Sequence, residues 1–401
     1  MKKVTSALAL AALVGTPAAA MANVEFGGDF DAGYYNTQGA GDRMTGFEQR
    51  IRLQSTFETD GGVSVNTRLN LTTARWTGDG GGGVQGDVER PFSDDDHRNV
   101  ELDYGYASVP LAGGMVNVGR MISNWNHGLT ATDDRRDQVN YVRPLGGGHT
   151  AIAGYQLRVD GGATTPENSG SQYFGALLGP LAEGVQYGVL AAHYDAAGSG
   201  AGDVDGYNIR GAQLLAPYIM GQAGDFGYTV GAHYLGNSRG TAFTEDTIAG
   251  FVKGDFQLSP EFKMEGQVLH AMDGALVAGG YDSYSSLIHN SPDHDNSATR
   301  IAALNLGGGG VEAQDGISRT LVATRGTFEM MDWTFMGAVG YVDYDNDGAG
   351  DNEVLFLDAQ AHYQLTPSTT VYATTGYADL DEDMGGRDNF FASSVNLNVQ
   401  F

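Results

Sequence analysis

The connections between the amphipathic runs of this chain come in two lengths, and the two lengths alternate. Short turns fall at Glu58–Gly62 (ETDGG), Pro110–Gly114, Pro144–Gly148, Gly179–Gly184, Gln222–Asp225, Leu258–Glu261, Glu329–Asp332 and Leu365–Thr369. Longer polar segments fall between them: Asn36–Thr45, Trp76–Arg98, Ser123–Asp137, Asp160–Gly170, Asp195–Asp205, Gly236–Asp246, Asp273–Gly316, Asp343–Asn352 and Asp379–Asp388. A soluble sandwich has no reason to sort its loops by parity. A sheet that crosses a bilayer has one, because its short turns gather on one rim and its long loops on the other. Nine long and eight short connections predict about 18 antiparallel strands in an all-β, up-and-down transmembrane barrel. Sixteen strands is the alternative, because Pro180 and Pro217 interrupt the middle of the chain.

The runs themselves have a two-residue period. Val24–Tyr35 places Val24, Phe26, Phe30, Ala32 and Tyr34 on one face. Phe47–Phe57 sets Phe47, Ile51, Leu53 and Phe57 against Glu48, Arg50, Arg52 and Gln54. Val63–Thr73 and Val100–Tyr106 continue the pattern, with Arg68 on the polar face of the first and Glu101 and Asp103 on that of the second. The last run, Asn389–Phe401, alternates Phe391, Ser393, Val395, Leu397, Val399 and Phe401 with smaller or polar residues, and it is expected to pair with Val24–Tyr35 and leave no open edge. No later segment approaches the ~20 apolar residues of a spanning helix, so a membrane protein built from this sequence must satisfy its backbone in a closed sheet.

Residues 1–22 read as an export signal: Lys2 and Lys3, a short apolar stretch from Val4 to Val14, and a small-residue cleavage site at Ala20-Met21-Ala22. The mature barrel is then 23–401. The sequence has no cysteine, so an exported chain of this size must hold together without disulfides. Its 49 acidic residues outnumber 22 basic ones. That sign disfavours nucleic-acid partners and suggests a field that draws cations toward the chain.

The leader, the opening strand VEFGGDFDAGYY (Val24–Tyr35), the alternating loops and the closing NLNVQF that ends at Phe401 together resemble the Gram-negative outer-membrane porin superfamily. The resemblance implies an outer-membrane location beside lipid and lipopolysaccharide, a water-filled lumen for small hydrophilic solutes or ions, and no catalysis. It also implies that the barrel assembly machinery reads Phe401 and that one loop folds into the lumen. Ser123–Asp137 and Asp273–Gly316 are the two candidates for that loop. A homotrimer is a further expectation. A barrel lipase or protease and a non-transporting adhesin or structural barrel are the alternatives, and no spacing of Ser, His and Asp selects an enzyme.

A pore needs a polar wall and a field across its narrowing. Arg50, Arg52 and Arg68 face Glu101 and Asp103 on neighbouring strands, and SNWNHGLTATDDRRD combines Trp125 and His127 with Arg135 and Arg136. These nine residues are the candidate lining. Asp343, Asp345 and Asp347 precede Gly348, with Asp351 and Glu353 beyond, which resembles the opening of a calcium loop although the closing acid falls one residue early. His289, Asp293, His294 and Asp295 form a weaker metal-like cluster.

Overall fold

The computed structural model describes residues 23–39, 42–75, 100–159, 170–196, 211–236, 246–272, 275–278, 281–287, 311–312, 317–346, 352–380 and 389–401. The strands are β1 (Asn23–Gly39), β2 (Asp42–Glu58), β3 (Ser64–Arg75), β4 (Glu101–Leu111), β5 (Gly114–Trp125), β6 (Ala131–Pro144), β7 (Thr150–Val159), β8 (Gly170–Ala182), β9 (Val185–Ala196), β10 (Gln213–Ala223), β11 (Phe226–Gly236), β12 (Thr247–Ser259), β13 (Phe262–Ala271), β14 (Val277–Ala278), β15 (Val311–Glu312), β16 (Ile317–Met330), β17 (Trp333–Asn346), β18 (Asn352–Thr366), β19 (Thr369–Leu380) and β20 (Asn389–Gln400). All but β14 and β15 join one 18-stranded antiparallel sheet, each strand paired with its neighbours in sequence. The sheet closes because β1 pairs with both β2 and β20. The β14–β15 ladder stands apart from the wall. The strand number is 18 rather than 16, and both prolines lie within strands.

Phe401 extends the closing seam beyond β20. Its N–H donates to the Gly28 carbonyl at 3.0 Å and its carbonyl accepts from Gly28 N–H at 2.8 Å. The ring lies over Gly28, where an added Cβ would come within 2.7 Å of Phe401 Cζ. Asn398 Nδ2 donates to Asp31 Oδ1 at 2.6 Å across the same seam.

The outward face is a belt of large apolar side chains left uncovered, such as Val252 (53%), Leu357 (59%) and Val395 (55%). Exposure of that kind over a whole barrel is the surface a bilayer covers. Aromatic pairs flank the belt: Trp333 on Tyr363 (4.7 Å between centroids) toward the short turns, Tyr34 on Phe47 (5.0 Å) toward the long loops. Among the described residues no helix is long and apolar enough to cross a membrane, so the crossing is made by strands.

Two of the expected long connections are shorter than the sequence suggests. Asn36–Thr45 is mostly strand, since β1 runs to Gly39 and β2 begins at Asp42, with Asn36 opposite Thr45. A ladder uses backbone groups only, so polar residues continue it above the apolar belt. Ser123–Asp137 is a strand hairpin in which only residues 126–130 lie outside β5 and β6.

The interior is not polar all round. On β12, β13 and β16–β20 the inward positions near the long-loop rim are mostly apolar: Phe251, Leu269, Leu321, Val342, Phe356 and Phe390 are all buried, with Arg319 buried among them and donating to the Ala275 carbonyl. They pack against Leu129, Val277, Tyr281 and Leu287, which come from two connections folded inside the barrel. Burial of this set is the apolar core of the protein, at ~25 cal/mol per Å² of apolar area removed from water. The wall formed by β1–β7 and by the later part of β20, where Ser394, Asn396 and Asn398 face inward, is polar instead.

Candidate pore constriction

The hairpin of β5 and β6 leaves the barrel wall partway up. The β4–β5 ladder ends at Gly105–Arg120 and the β6–β7 ladder at Asp137–Leu157, whereas β5 and β6 stay paired from Met115–Val142 to Trp125–Ala131. The departure point is Gly119, at φ +135° with its Cα facing the Gly105 carbonyl oxygen. A side chain there would press into that oxygen and would have to adopt a backbone conformation that L-residues avoid. Beyond Gly119 the hairpin is an arm with both faces inside the barrel.

Each face of the arm is fastened by a carboxylate held between two arginines. On one face Asp103, carried on β4, accepts from Arg68 of β3 and forms an ion pair with Arg135 of the arm. Arg135 also pairs with Asp133 at 2.8 Å, and Arg68 lies 4.9 Å from the Tyr104 ring centroid. On the other face Asp134 of the arm accepts from Arg136 at 2.7 Å and from Arg158 of β7 at 2.6 Å. The two sets are counterparts: wall arginine, carboxylate, arm arginine. Asp103 can reach Arg68 because β4 has a register shift opposite Arg68–Leu69 that turns an extra residue inward. Deeper on the same wall Arg50 pairs with Asp31 at 2.9 Å and Arg52 with Asp29 at 2.8 Å. All four of those side chains are nearly inaccessible, which for charged groups requires pairing of this kind.

The tip of the arm reaches the β10–β12 wall. Asn126 and His127 have φ +57° and +51° in a single 3-10 turn, Asn126–Gly128; a left-handed turn of this sort favours asparagine. Trp125 Nε1 donates to the Ala216 carbonyl at 2.8 Å and Asn126 Nδ2 to the Ala232 carbonyl at 2.9 Å. Thr130 Oγ1 lies 3.2 Å from His233 Nδ1. The Trp125 and His127 rings both meet Tyr218 edge-on, at 5.5 and 5.1 Å. Burial lowers the His127 pKa, and the nearby Lys253 ammonium adds to the effect, so the imidazole is neutral at pH 7.

The second inward segment, residues 275–278 and 281–287, lies against β12, β13, β16 and β18. Asp358 on β18 receives it: Ser285 Oγ and Ser286 N each donate to the carboxylate at 2.8 Å, and Ser286 Oγ donates as well. The Asp282 carbonyl accepts from Gln267 Nε2 at 3.0 Å and from Lys253 Nζ at 3.2 Å, while its carboxylate pairs with Arg325 at 3.3 Å. Lys253 Nζ lies 4.2 Å from the Tyr281 ring centroid and the Arg325 guanidinium carbon 4.3 Å from that of Tyr284, a cation–π arrangement in each case. Ala278 N–H donates to the Leu129 carbonyl at 2.9 Å, so the two inward segments touch.

Residues 123–137 and, of the second candidate, the described residues 275–278 and 281–287 therefore enter the lumen. Of the residues singled out from sequence, Arg50, Arg52, Arg68, Asp103, Arg135 and Arg136 meet in the paired network. Glu101 is exposed at the start of β4 opposite Asn70, away from it. Trp125 and His127 hold the arm to the far wall. Sequence reasoning missed Asp29 and Asp31, whose alternation with Phe26 and Phe30 put them inward, and it missed Arg158, Asp358 and Arg325, whose partners lie tens of residues away. The calcium-like run resolves differently. Asp343 and Asp345 lie in β17, and Glu353 in β18 directly opposite Asp343. An extended strand spaces successive same-face residues too widely for the wrapped cage that calcium needs. Asp347 and Asp351 lie outside the described residues, as do His289, Asp293, His294 and Asp295. Among the described residues no group of three His, Asp or Glu is placed to hold a metal.

Comparison with known proteins agrees with this architecture. The family model described as Gram-negative porin matches residues 9–383. No curated protein sequence matches. Solved structures from Pseudomonas aeruginosa share the fold: OccK2 (OpdF), at 12% identity, covers 94% of this chain and 98% of its own with a TM-score of 0.64. OccK2 in complex with glucuronate gives the same identity and coverages with a TM-score of 0.62. OpdK with vanillate also gives 12%, 94% and 98%, with a TM-score of 0.61. At such identity these neighbours speak to fold alone. With a family match across most of its length, an 18-stranded closed barrel and a lipid-facing apolar belt, the chain belongs to the Gram-negative porin family and is an outer-membrane channel protein.

Proposed function

We propose that the channel passes small hydrophilic solutes and ions by passive diffusion along the polar half of its lumen. The observation that carries this reading is the division of the interior. One half is filled by an apolar core and by segment 275–287; the other presents Asp29, Asp31, Arg50, Arg52, Arg68 and the fastened arm. These pairs are themselves nearly inaccessible, so they hold the wall and the arm in place and set the field beside the path rather than touch the solute.

The finer reading is a preference for cations. Within the described lumen the arginines and carboxylates largely offset one another in ion pairs. The excess of 49 acidic over 22 basic residues in the whole sequence then rests mostly on other positions, such as Asp94, Asp95, Asp96, Asp381, Glu382 and Asp383 in the long connections. Net negative charge on the chain concentrates cations over a Debye length, ~10 Å at 0.1 M salt. The preference is accordingly modest and fades with salt.

The same reading includes a leader, residues 1–22, that is cleaved on export. It includes recognition of Phe401 by the barrel assembly machinery, contact of the outer rim with lipopolysaccharide, and assembly as a homotrimer. Calcium at Asp343, Asp345, Asp347, Asp351 and Glu353 is retained only as weak binding of a divalent ion at the rim, for which the strand placement of Asp343 and Asp345 is unfavourable. The reading contains no catalytic step. A second reading, a barrel that does not transport, draws support from the apolar packing of 275–287 inside the lumen.

Planar-bilayer recording of the refolded protein separates the two. Stable conductance steps, with uptake of sugars and of small carboxylates such as vanillate and glucuronate into proteoliposomes, support the channel. A folded barrel that gives no steps and no uptake refutes it in favour of the closed barrel.

A further inference from the structure

The β10–β11 ladder is broken at one place. Leu215 pairs with Tyr234 and Tyr218 with Gly231, and the two rungs between them are missing. Pro217 stands in that gap, in the middle of a sheet where proline is ordinarily excluded because it has no N–H to give the ladder. The carbonyls on either side of the gap are not left without donors. Ala216 O accepts Trp125 Nε1 at 2.8 Å and Ala232 O accepts Asn126 Nδ2 at 2.9 Å, both from the tip of the arm.

We infer that Pro217 opens a notch in the barrel wall that seats the arm, and that this seat sets the width of the pore. Pro217, Trp125 and Asn126 are positioning residues: they act on the permeating solute through the placement of the arm. The notch leaves two strand–strand rungs unmade and puts two strand–arm hydrogen bonds in their place. This inference rests on the reading of the lumen as the conducting path.

The test uses full-length protein refolded in lipid, with Asn126→Asp, Trp125→Phe and Pro217→Ala. The first two act from the arm and leave the barrel ladder untouched. The third returns an N–H to the wall. Removal of one such hydrogen bond raises the unseated fraction of the arm about fivefold. Each variant is expected to retain the heat-modifiable migration of a folded barrel and the unfolding midpoint of the parent. Each is also expected to show higher single-channel conductance, flickering between levels and a larger solute cut-off in liposome swelling. Trp125 is one of three tryptophans. In a Trp76→Phe, Trp333→Phe background its emission reports the seat without any need for conduction, and Asn126→Asp should shift that emission to the red and increase quenching by acrylamide. Unchanged conductance and unchanged emission in Asn126→Asp overturn the inference. If Pro217→Ala fails to fold, Asn126→Asp and Trp125→Phe decide it. A parent protein that does not conduct while Asn126→Asp still shifts the emission overturns the conducting path and leaves the seat standing.

Discussion

Asp103→Asn tests whether the carboxylate between Arg68 and Arg135 fixes the arm. Asp103 is 5% exposed, accepts from Arg68 and is ion-paired with Arg135, so the substitution keeps the shape and one acceptor oxygen but aims an amide N–H₂ at a cation. Removing one partner of a fully buried pair costs about 3–5 kcal/mol. Here the loss is smaller, because Arg135 retains Asp133 at 2.8 Å and Arg68 retains the Tyr104 ring. One charge-assisted hydrogen bond, about 2 kcal/mol, is the net expectation. The electrostatic effect is independent of that loss. A monovalent ion passing roughly 7 Å away through water feels the missing charge by about 0.6 kcal/mol, about threefold for each ion and, because cation and anion respond oppositely, about eightfold in the cation-to-anion permeability ratio. Urea titration in liposomes reads the first quantity, and reversal potential in a KCl gradient at about 0.01 M, where the screening length is ~30 Å, reads the second. The reasoning fails if Asp103→Asn leaves both unchanged, or if the permeability ratio moves toward cations.

Three further outcomes follow from the same geometry. Gly119→Val places a β-branched side chain at φ +135° against the Gly105 carbonyl; it should cost about 2 kcal/mol or more and displace the arm, read as lower thermal stability together with altered conductance. Asp358→Ala removes the acceptor of Ser285 and Ser286 and should release 275–287 from the wall; limited proteolysis of the folded barrel should then cut within that segment in the variant and not in the parent. For His127 the pH dependence has a definite sign. Its pKa is lowered in the folded state, so the neutral ring's contribution is present above the ordinary histidine pKa and is lost as pH falls through the lowered folded value. Open-channel noise should therefore grow on acidification in the parent and do so less in His127→Phe, which keeps a ring against Tyr218.

The barrel was legible in the sequence because its two signals are local. A two-residue period depends only on neighbours, and loop parity depends only on counting. Val24–Tyr35 and Asn389–Phe401 could thus be paired before any coordinates. The arm was half legible. SNWNHGLTATDDRRD stood out by composition, but reading it as a loop missed that a hairpin can leave a sheet and stay paired to itself. What decides this is the non-local end of the β4–β5 and β6–β7 ladders together with one glycine. The apolar interior was not legible at all. Inward Leu269, Leu321 and Val342 break the rule of polar lumen and apolar exterior, and they do so because residues 275–278 and 281–287, carried on a connection rather than on the wall, cover them. Pro217 read as a blemish in strand counting, and its meaning depends on which side chains come to its orphaned carbonyls.

The central claim is that the polar half of this barrel is an open pore beside a fastened arm, with the proposed weak cation preference following from the acidic excess of the chain. Single-channel recording of the refolded protein across a planar bilayer, with reversal potentials in KCl gradients at low and at high salt, tests it most directly. Discrete open channels are predicted, with a cation-to-anion permeability ratio above one at low salt that falls toward one as salt rises. Absence of channels from a heat-modifiable, folded barrel contradicts the pore, and anion preference at low salt contradicts the placement of the charge.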